Sequence, residues 1–320
     1  MLPQIIRGPL RIACAAVLLC AVSEAQASGD HPPGRMNQPE SAEVLDEKTA
    51  DVTGTIQSIA LPSRVKLQYV EQGDPSGVPV LLLHGYTDSW RSFELVLPFL
   101  PMSIHAYALS QRGHGDSERP VSGYHPYDFA ADVAAFMDAR KIARAVIVGH
   151  SMGSYVAQCF AMEYPDRTLG VVLAASFTTL QGDAGIQEFW NTAVSKLADP
   201  IDPSFALEFQ KSTLAVPVPQ NFLDTVVQES LKVPAHVWKA ALKGLMESDL
   251  SRGLGKIKAP TLIVWGDKDT YFLRDHQDAL AAGIAGSQLV IYHGVGHGIH
   301  WEDPRRFAAD LVAFAERLAK

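Results

Sequence analysis

The segment Val146-Ile147-Val148-Gly149-His150-Ser151-Met152-Gly153-Ser154 constrains this chain more than any other. A β-branched run ends in Gly-x-Ser-x-Gly, and helix-forming residues follow at once. That order suits a strand, a sharp turn and a helix, with a serine at the apex of the turn. The two glycines have a steric task, because strand and helix backbones pass close on either side of such a turn. Ser151 is expected in a strained backbone conformation, its hydroxyl projecting from the carboxyl end of a sheet. A tight turn with an incidental serine is the plain alternative, and partners elsewhere in the chain must decide between the two.

The flanks supply a regular alternation. Strand-like runs stand at 54–60, 65–71, 78–83, 104–109, 146–150, 169–174, 261–265 and 288–292. Helical patterns fall at 90–100, 126–139, from Ser151 to about Met162, around 273–283, and from Pro304 onward. Val78 to Leu83 is continuously apolar, as in a strand buried on both faces. Such β-α-β alternation predicts an α/β fold: a doubly wound, mostly parallel eight-stranded sheet with right-handed crossovers. Between about 177 and 250 the alternation stops. Phe222, Leu223, Val226, Val227 and Leu231 keep helical spacing, as do Val237, Trp238, Ala241, Leu242, Leu245 and Met246. A helical cap inserted after strand 6 is therefore expected over 177–250. It divides the core into 51–176 and 251–320.

Net charge is −8, and no block of lysine or arginine offsets it, which argues against a nucleic-acid partner. Arg7 and Arg11 precede an apolar run, Ile12 to Val22, too short to span a bilayer. Ala25-Gln26-Ala27 then offers a cleavage site. Residues 1–27 thus read as a signal peptide, residues 28–50 as a disordered leader, and the mature chain as periplasmic or secreted, without stable membrane insertion. Cys14 and Cys20 would leave with the signal. Cys159 would remain alone, a buried and inert thiol on the apolar side of the helix after Ser151.

A serine hydroxyl is a poor nucleophile at neutral pH and needs a base; histidine titrates in the right range. Position selects among the 11 histidines. His297 lies in a glycine-flanked loop just after the last strand, which can carry it back to the turn. His293 stands at the strand's end and His300 beyond the loop's glycines, so both read as packing or surface residues. A carboxylate must fix the imidazole tautomer. Asp269 sits in the loop after Trp265-Gly266, while Asp267 reads as serving the turn itself. An oxyanion would need N–H donors, for which the spacing offers Met152 and, after His84-Gly85, Tyr86.

With these residues in place the chain resembles the α/β-hydrolase superfamily, in its capped branch. The resemblance rests on His84-Gly85, Arg112-Gly113-His114-Gly115-Asp116-Ser117, Gly149-His150-Ser151-Met152-Gly153, Gly266-Asp267-Lys268-Asp269 and Gly294-Val295-Gly296-His297. It implies Ser151 as nucleophile, His297 as base, Asp269 as orienting acid, and the Tyr86 and Met152 amides as oxyanion hole. Ser110 departs from the aspartate that relatives often carry before the Arg-Gly-His-Gly turn. Relatives that are dehalogenases or epoxide hydrolases attack with aspartate, and Ser151 disfavours both. A carboxylic ester hydrolase acting on a small-molecule ester or lactone is the implied activity. Lactone opening, carbon–carbon bond hydrolysis, proline-peptide trimming and peracid formation use the same triad. A ligand-binding sensor on the same fold is the non-enzymatic alternative. No cofactor is implied, and the sequence offers no metal-binding spacing. Trp90, Phe177, Phe189, Trp190 and Trp238 are the aromatics available to the cap and its surroundings, each read as core before pocket.

Overall fold

The computed structural model describes residues 54–319; the signal peptide and leader read at 1–50, with Cys14 and Cys20, lie outside the described residues. The strands are β1 Thr55–Ala60, β2 Lys66–Gln72, β3 Val78–Leu83, β4 Ile104–Leu109, β5 Ala145–His150, β6 Thr168–Ala174, β7 Thr261–Gly266 and β8 Gln288–Tyr292. They form one eight-stranded sheet in the order β1-β2-β4-β3-β5-β6-β7-β8. β2 runs antiparallel to both neighbours, and every other pair is parallel.

The α-helices are α1 Pro126–Ala139, α2 Met152–Glu163, α3 Ala184–Thr192, α4 Pro203–Ser212, α5 Gln220–Lys232, α6 Ala235–Glu247, α7 Arg274–Gly283, α8 Ile299–Glu302 and α9 Pro304–Leu318. Helices on both faces explain why the central strands read as unbroken apolar runs. Leu81, Leu83, Tyr107, Leu109 and Ile147 face α1 and α2, packing with Phe129, Val133, Phe136, Tyr155 and Phe160. The alternate residues Val80, Leu82, Ala106, Ala108, Val146 and Val148 face α9, packing with Phe307, Leu311 and Phe314. Side chains two residues apart thus share a face. α1 is started by His125, whose side chain and Asp128 form a capping box ahead of Pro126. Cys159 is buried in α2, and burial pushes its thiol well above the usual range.

One expected helix is different. Residues 90–100 form two short 3-10 turns, Trp90–Phe93 and Leu97–Phe99. Their bonds run from i to i+3, as in Val96 N–H to Phe93 O and Phe99 N–H to Val96 O. Trp90, Phe93 and Val96 are buried at three-residue spacing, which lines up along a 3-10 turn and would drift off an α-helical face.

Between β6 and β7 the chain leaves the sheet and builds α3 to α6. The two ends of this excursion meet where Thr179 bridges Asp249 and Leu250 N–H donates to Thr178 O at 3.0 Å. α5 buries Phe222, Leu223, Val226 and Val227; α6 buries Val237, Trp238, Ala241, Leu242 and Leu245. Among the described residues no helix is long and apolar enough to cross a membrane.

Candidate active site

Ser151 stands between β5 and α2 with φ 51° and ψ −117°, a left-handed conformation rare for a residue with a side chain. The site enforces it. Ser151 N–H donates to Ala174 O at 3.0 Å, and Ser151 O accepts from Ser154 N–H at 2.9 Å. Ser154 Oγ also donates to Ser151 O at 2.6 Å. A Cβ at Gly149 would run into the Gly153 carbonyl, and one at Gly153 into the Leu83 carbonyl. Met152 opens α2 directly after Ser151, at the helix end where backbone N–H groups lack intrahelical acceptors.

The loops after β7 and β8 press together at Gly266, where a Cβ would strike the carbonyls of Val295 and Gly296. That contact lets Asp269 Oδ2 accept from His297 Nδ1 at 2.9 Å. Asp269 Oδ1 is held in turn by the N–H groups of Tyr271 and Phe272, at 2.8 and 3.1 Å. With Nδ1 donating to a carboxylate, His297 keeps Nε2 as its acceptor. Asp267 makes a separate pair with His293 at 2.9 Å and accepts the Gly294 N–H at 2.7 Å.

Ser151 and His297 line one cavity of about 50 Å³ beside Tyr86, Tyr271 and Phe272. The excursion supplies the opposite wall: Ile186 and Phe189 from α3, Phe209 from α4, Leu242 and Leu245 from α6. Of the aromatics singled out in the sequence, Phe177 and Phe189 reach this cavity, while Trp90 and Trp238 are buried in packing. Tyr86, Phe209, Tyr271 and Phe272 had no periodic signal to announce them. A second hollow, of about 110 Å³, lies where β7 and β8 begin, at the far end of the sheet from Ser151. Among the described residues no group of three or more His, Cys, Asp or Glu is placed to hold a metal ion.

The family model for the alpha/beta hydrolase fold matches residues 78–304, which takes in β3 through α8 and both loops just described. The chain belongs to the alpha/beta-hydrolase family. It is 29% identical over 269 residues to monoacylglycerol lipase ABHD6 of Bos taurus, covering 77% of this chain and 78% of that one. It is 27% identical over 268 residues to a non-heme chloroperoxidase of Streptomyces lividans, covering 78% and 95% respectively. Among solved structures, esterase RhEst1 from Rhodococcus sp. ECU1013 superposes with a TM-score of 0.72 at 25% identity, over 82% of this chain and 99% of that one.

In this alpha/beta hydrolase two residues hold the His297 loop that the sequence reading did not assign. His150 Nε2–H donates to His297 O at 2.9 Å. Burial, together with the neighbouring His300 and His297, keeps the His150 ring well below its usual pKa and so neutral. A Cβ at Gly85 would come within 2.9 Å of His150 Nδ1, which ties the glycine of His84-Gly85 to this packing. Glu302 Oε2 gathers the N–H groups of Gly296, Ala215 and Val216 at 2.9, 3.2 and 3.1 Å. One carboxylate thereby links the histidine loop to the segment between α4 and α5. Burial raises the Glu302 carboxyl, and the three N–H bonds draw it back. The Arg-Gly-His-Gly turn has a structural part, since Arg112 grips Asp132 with two bonds of 2.6 Å.

Proposed function

We propose that this chain is a serine hydrolase of small or medium carboxylic esters, with Ser151, His297 and Asp269 as its triad. The observation that carries the proposal is that Ser151 and His297 open onto one cavity while His297 Nδ1 is tied to Asp269. His297 Nε2 takes the proton from Ser151 Oγ as that oxygen attacks the ester carbonyl. The N–H groups of Met152 and Tyr86 receive the oxyanion, helped by the positive end of α2. The tetrahedral intermediate collapses, His297 returns the proton to the departing alcohol, and an acyl group remains on Ser151. Water then repeats the sequence with His297 as base and releases the acid. Walls of phenylalanine, leucine and isoleucine support an apolar acyl group.

The likeness to a chloroperoxidase supports a second outcome for the same acyl-enzyme, in which hydrogen peroxide replaces water and a peracid leaves. A fluorophosphonate should add to the peptide that contains Ser151, and p-nitrophenyl butyrate should be turned over. Ser151→Ala should remove both while keeping the melting temperature, with turnover down at least about a thousandfold. Unchanged turnover in that variant would sink the assignment. Adding peroxide to the assay and measuring peracid decides between the two acyl acceptors.

A further inference from the structure

The loop that follows β3 is fastened to three different helices of the β6–β7 excursion by three consecutive side chains. Tyr86 Oη donates to the Trp238 carbonyl of α6 at 2.5 Å, and its ring meets Trp238 and Phe209 edge-on, with centroids 5.2 and 5.8 Å away. Thr87 Oγ1 lies 3.2 Å from Ser230 Oγ of α5. Asp88 Oδ1 accepts from Gln210 Nε2 of α4 at 2.9 Å, and the same amide reaches Ser230 Oγ at 2.7 Å. On the sheet side the attachment is thinner: Ser92 Oγ donates to Asp88 Oδ2 at 3.4 Å.

The bonds are buried, with Thr87, Asp88, Gln210 and Ser230 at most 3% exposed, so truncating one partner leaves the other unsatisfied inside the fold. Thr87 has φ 67°, where a β-branched residue is strained and stays only if its surroundings hold it there. Burial outweighs the bonds from Gln210 and Ser92, and the Asp88 carboxyl stands raised to about 7. The loop's shape thus depends on partners carried by the excursion: the Trp238 carbonyl and the Ser230 hydroxyl, which accept, and the Gln210 amide, which donates.

We propose that Gln210 and Ser230 are positioning residues that hold residues 86–88 in the shape that aims the Tyr86 N–H at the oxyanion, so that the oxyanion hole is complete only when the cap is seated. This rests on the hydrolase function proposed above. The excursion walls the substrate cavity and also sets one of the two oxyanion donors, so enclosing the acyl group and stabilising its transition state become one event. A cap that served only as a wall would affect how substrate binds and leave the oxyanion donor alone.

The test compares full-length Gln210→Leu and Ser230→Ala with Ser230→Thr, which restores the hydroxyl. Three readouts are taken: kcat and KM for p-nitrophenyl butyrate, affinity for an alkyl trifluoromethyl ketone, and the melting temperature. The ketone's adduct places an oxyanion in the hole. Removal of one such donor costs about a hundred- to a thousandfold, and a misaimed one should cost about ten- to a hundredfold. Gln210→Leu and Ser230→Ala should lower kcat and ketone affinity by a common factor in that range, with KM within about twofold. Ser230→Thr should recover most of it. Should Gln210→Leu fail to fold, Ser230→Ala carries the comparison. Folded variants with normal kcat, or with only KM raised and ketone affinity intact, overturn the proposal. Wild-type labelling by a fluorophosphonate separates the failures. A labelled wild type with indifferent variants removes the coupling and leaves the hydrolase, whereas an unlabelled wild type removes both.

Discussion

The loops after β7 and β8 carry two carboxylate–imidazole pairs side by side, Asp269 with His297 and Asp267 with His293. Both pairs join Oδ2 to Nδ1, and both are 2.9 Å long. Their surroundings differ completely: the side chains of the first pair are 0% and 6% exposed, those of the second 27% and 80%. Water around the outer pair screens its charges, and exposed pairs of this kind contribute little. The inner pair has no water to compete for its hydrogen bond, and two backbone N–H groups fix its carboxylate from behind. Equal distances therefore conceal unequal roles. Burial, and the cavity that His297 faces while His293 faces solvent, tell the pairs apart.

The largest loss is expected from Asp269→Asn. The Tyr271 and Phe272 N–H groups already donate to one side-chain oxygen and will keep the amide oxygen in that place. The amide NH₂ must then face His297 Nδ1, which has to accept. The ring proton is driven to Nε2, the atom that should receive the serine proton. Turnover should fall about a thousand- to ten-thousandfold with KM and melting temperature nearly unchanged. A loss of less than tenfold in steady-state kinetics would remove Asp269 from the proposed triad.

Much of this was legible in the sequence because the constraints are local. Gly149 is required by a backbone contact with Gly153 inside the same turn, and the strand and helix on either side carry their own periodicity; Gly153 answers instead to the Leu83 carbonyl of β3. Asp267 reads in sequence as serving its own turn, whereas its carboxylate crosses to the loop after β8, where it accepts the Gly294 N–H and pairs with His293. What could not be read came from contacts between distant segments. Residues 90–100 read as a helix in sequence, and the 3-10 form shows only once Trp90, Phe93 and Val96 are seen packing into the core at three-residue spacing. Tyr86, Phe209 and the adjacent Tyr271 and Phe272 sit in three separate segments and line one cavity only after folding. Gln210 and Glu302 carry no signal in the sequence, and their work is visible only in the bonds that cross from one segment to another.

Burial separates imidazoles as it separates carboxylates, and acid should reveal it. His300 and His114 are buried, and desolvation lowers them from 6.5 to about 3 and about 4. In these windows the unfolded chain binds protons that the folded one refuses, so the stabilising contribution is full above pH 6.5 and is lost as pH falls toward the folded values. Asp88, raised to about 7, acts with the opposite sign, since the folded form holds its proton more tightly than the unfolded one. For each such histidine the unfolding free energy should drop by about 1.4 kcal/mol per pH unit inside its window. His300→Gln should flatten that slope between pH 6 and 4 in urea titrations by about this amount. An unchanged slope would mean that the ring is already charged in the fold.

The smallest effect is the most discriminating. Asp267→Asn leaves an oxygen that can still accept the Gly294 N–H, so the link between the two loops persists. What it removes is the charge opposite His293, in a pair open to solvent and ordinary salt. The hydrogen bond from His293, followed by that from Gly294, holds the Asp267 carboxyl below its ordinary pKa. The small stabilisation this provides is present above the unfolded carboxylate pKa and fades as pH falls through the lower folded value. Turnover by Asp267→Asn at pH 7 should stay within about twofold of the parent, an effect in keeping with the small worth of exposed pairs. A hundredfold loss here, beside a mild one for Asp269→Asn, would exchange the roles of the two carboxylates and show that burial had been the wrong guide.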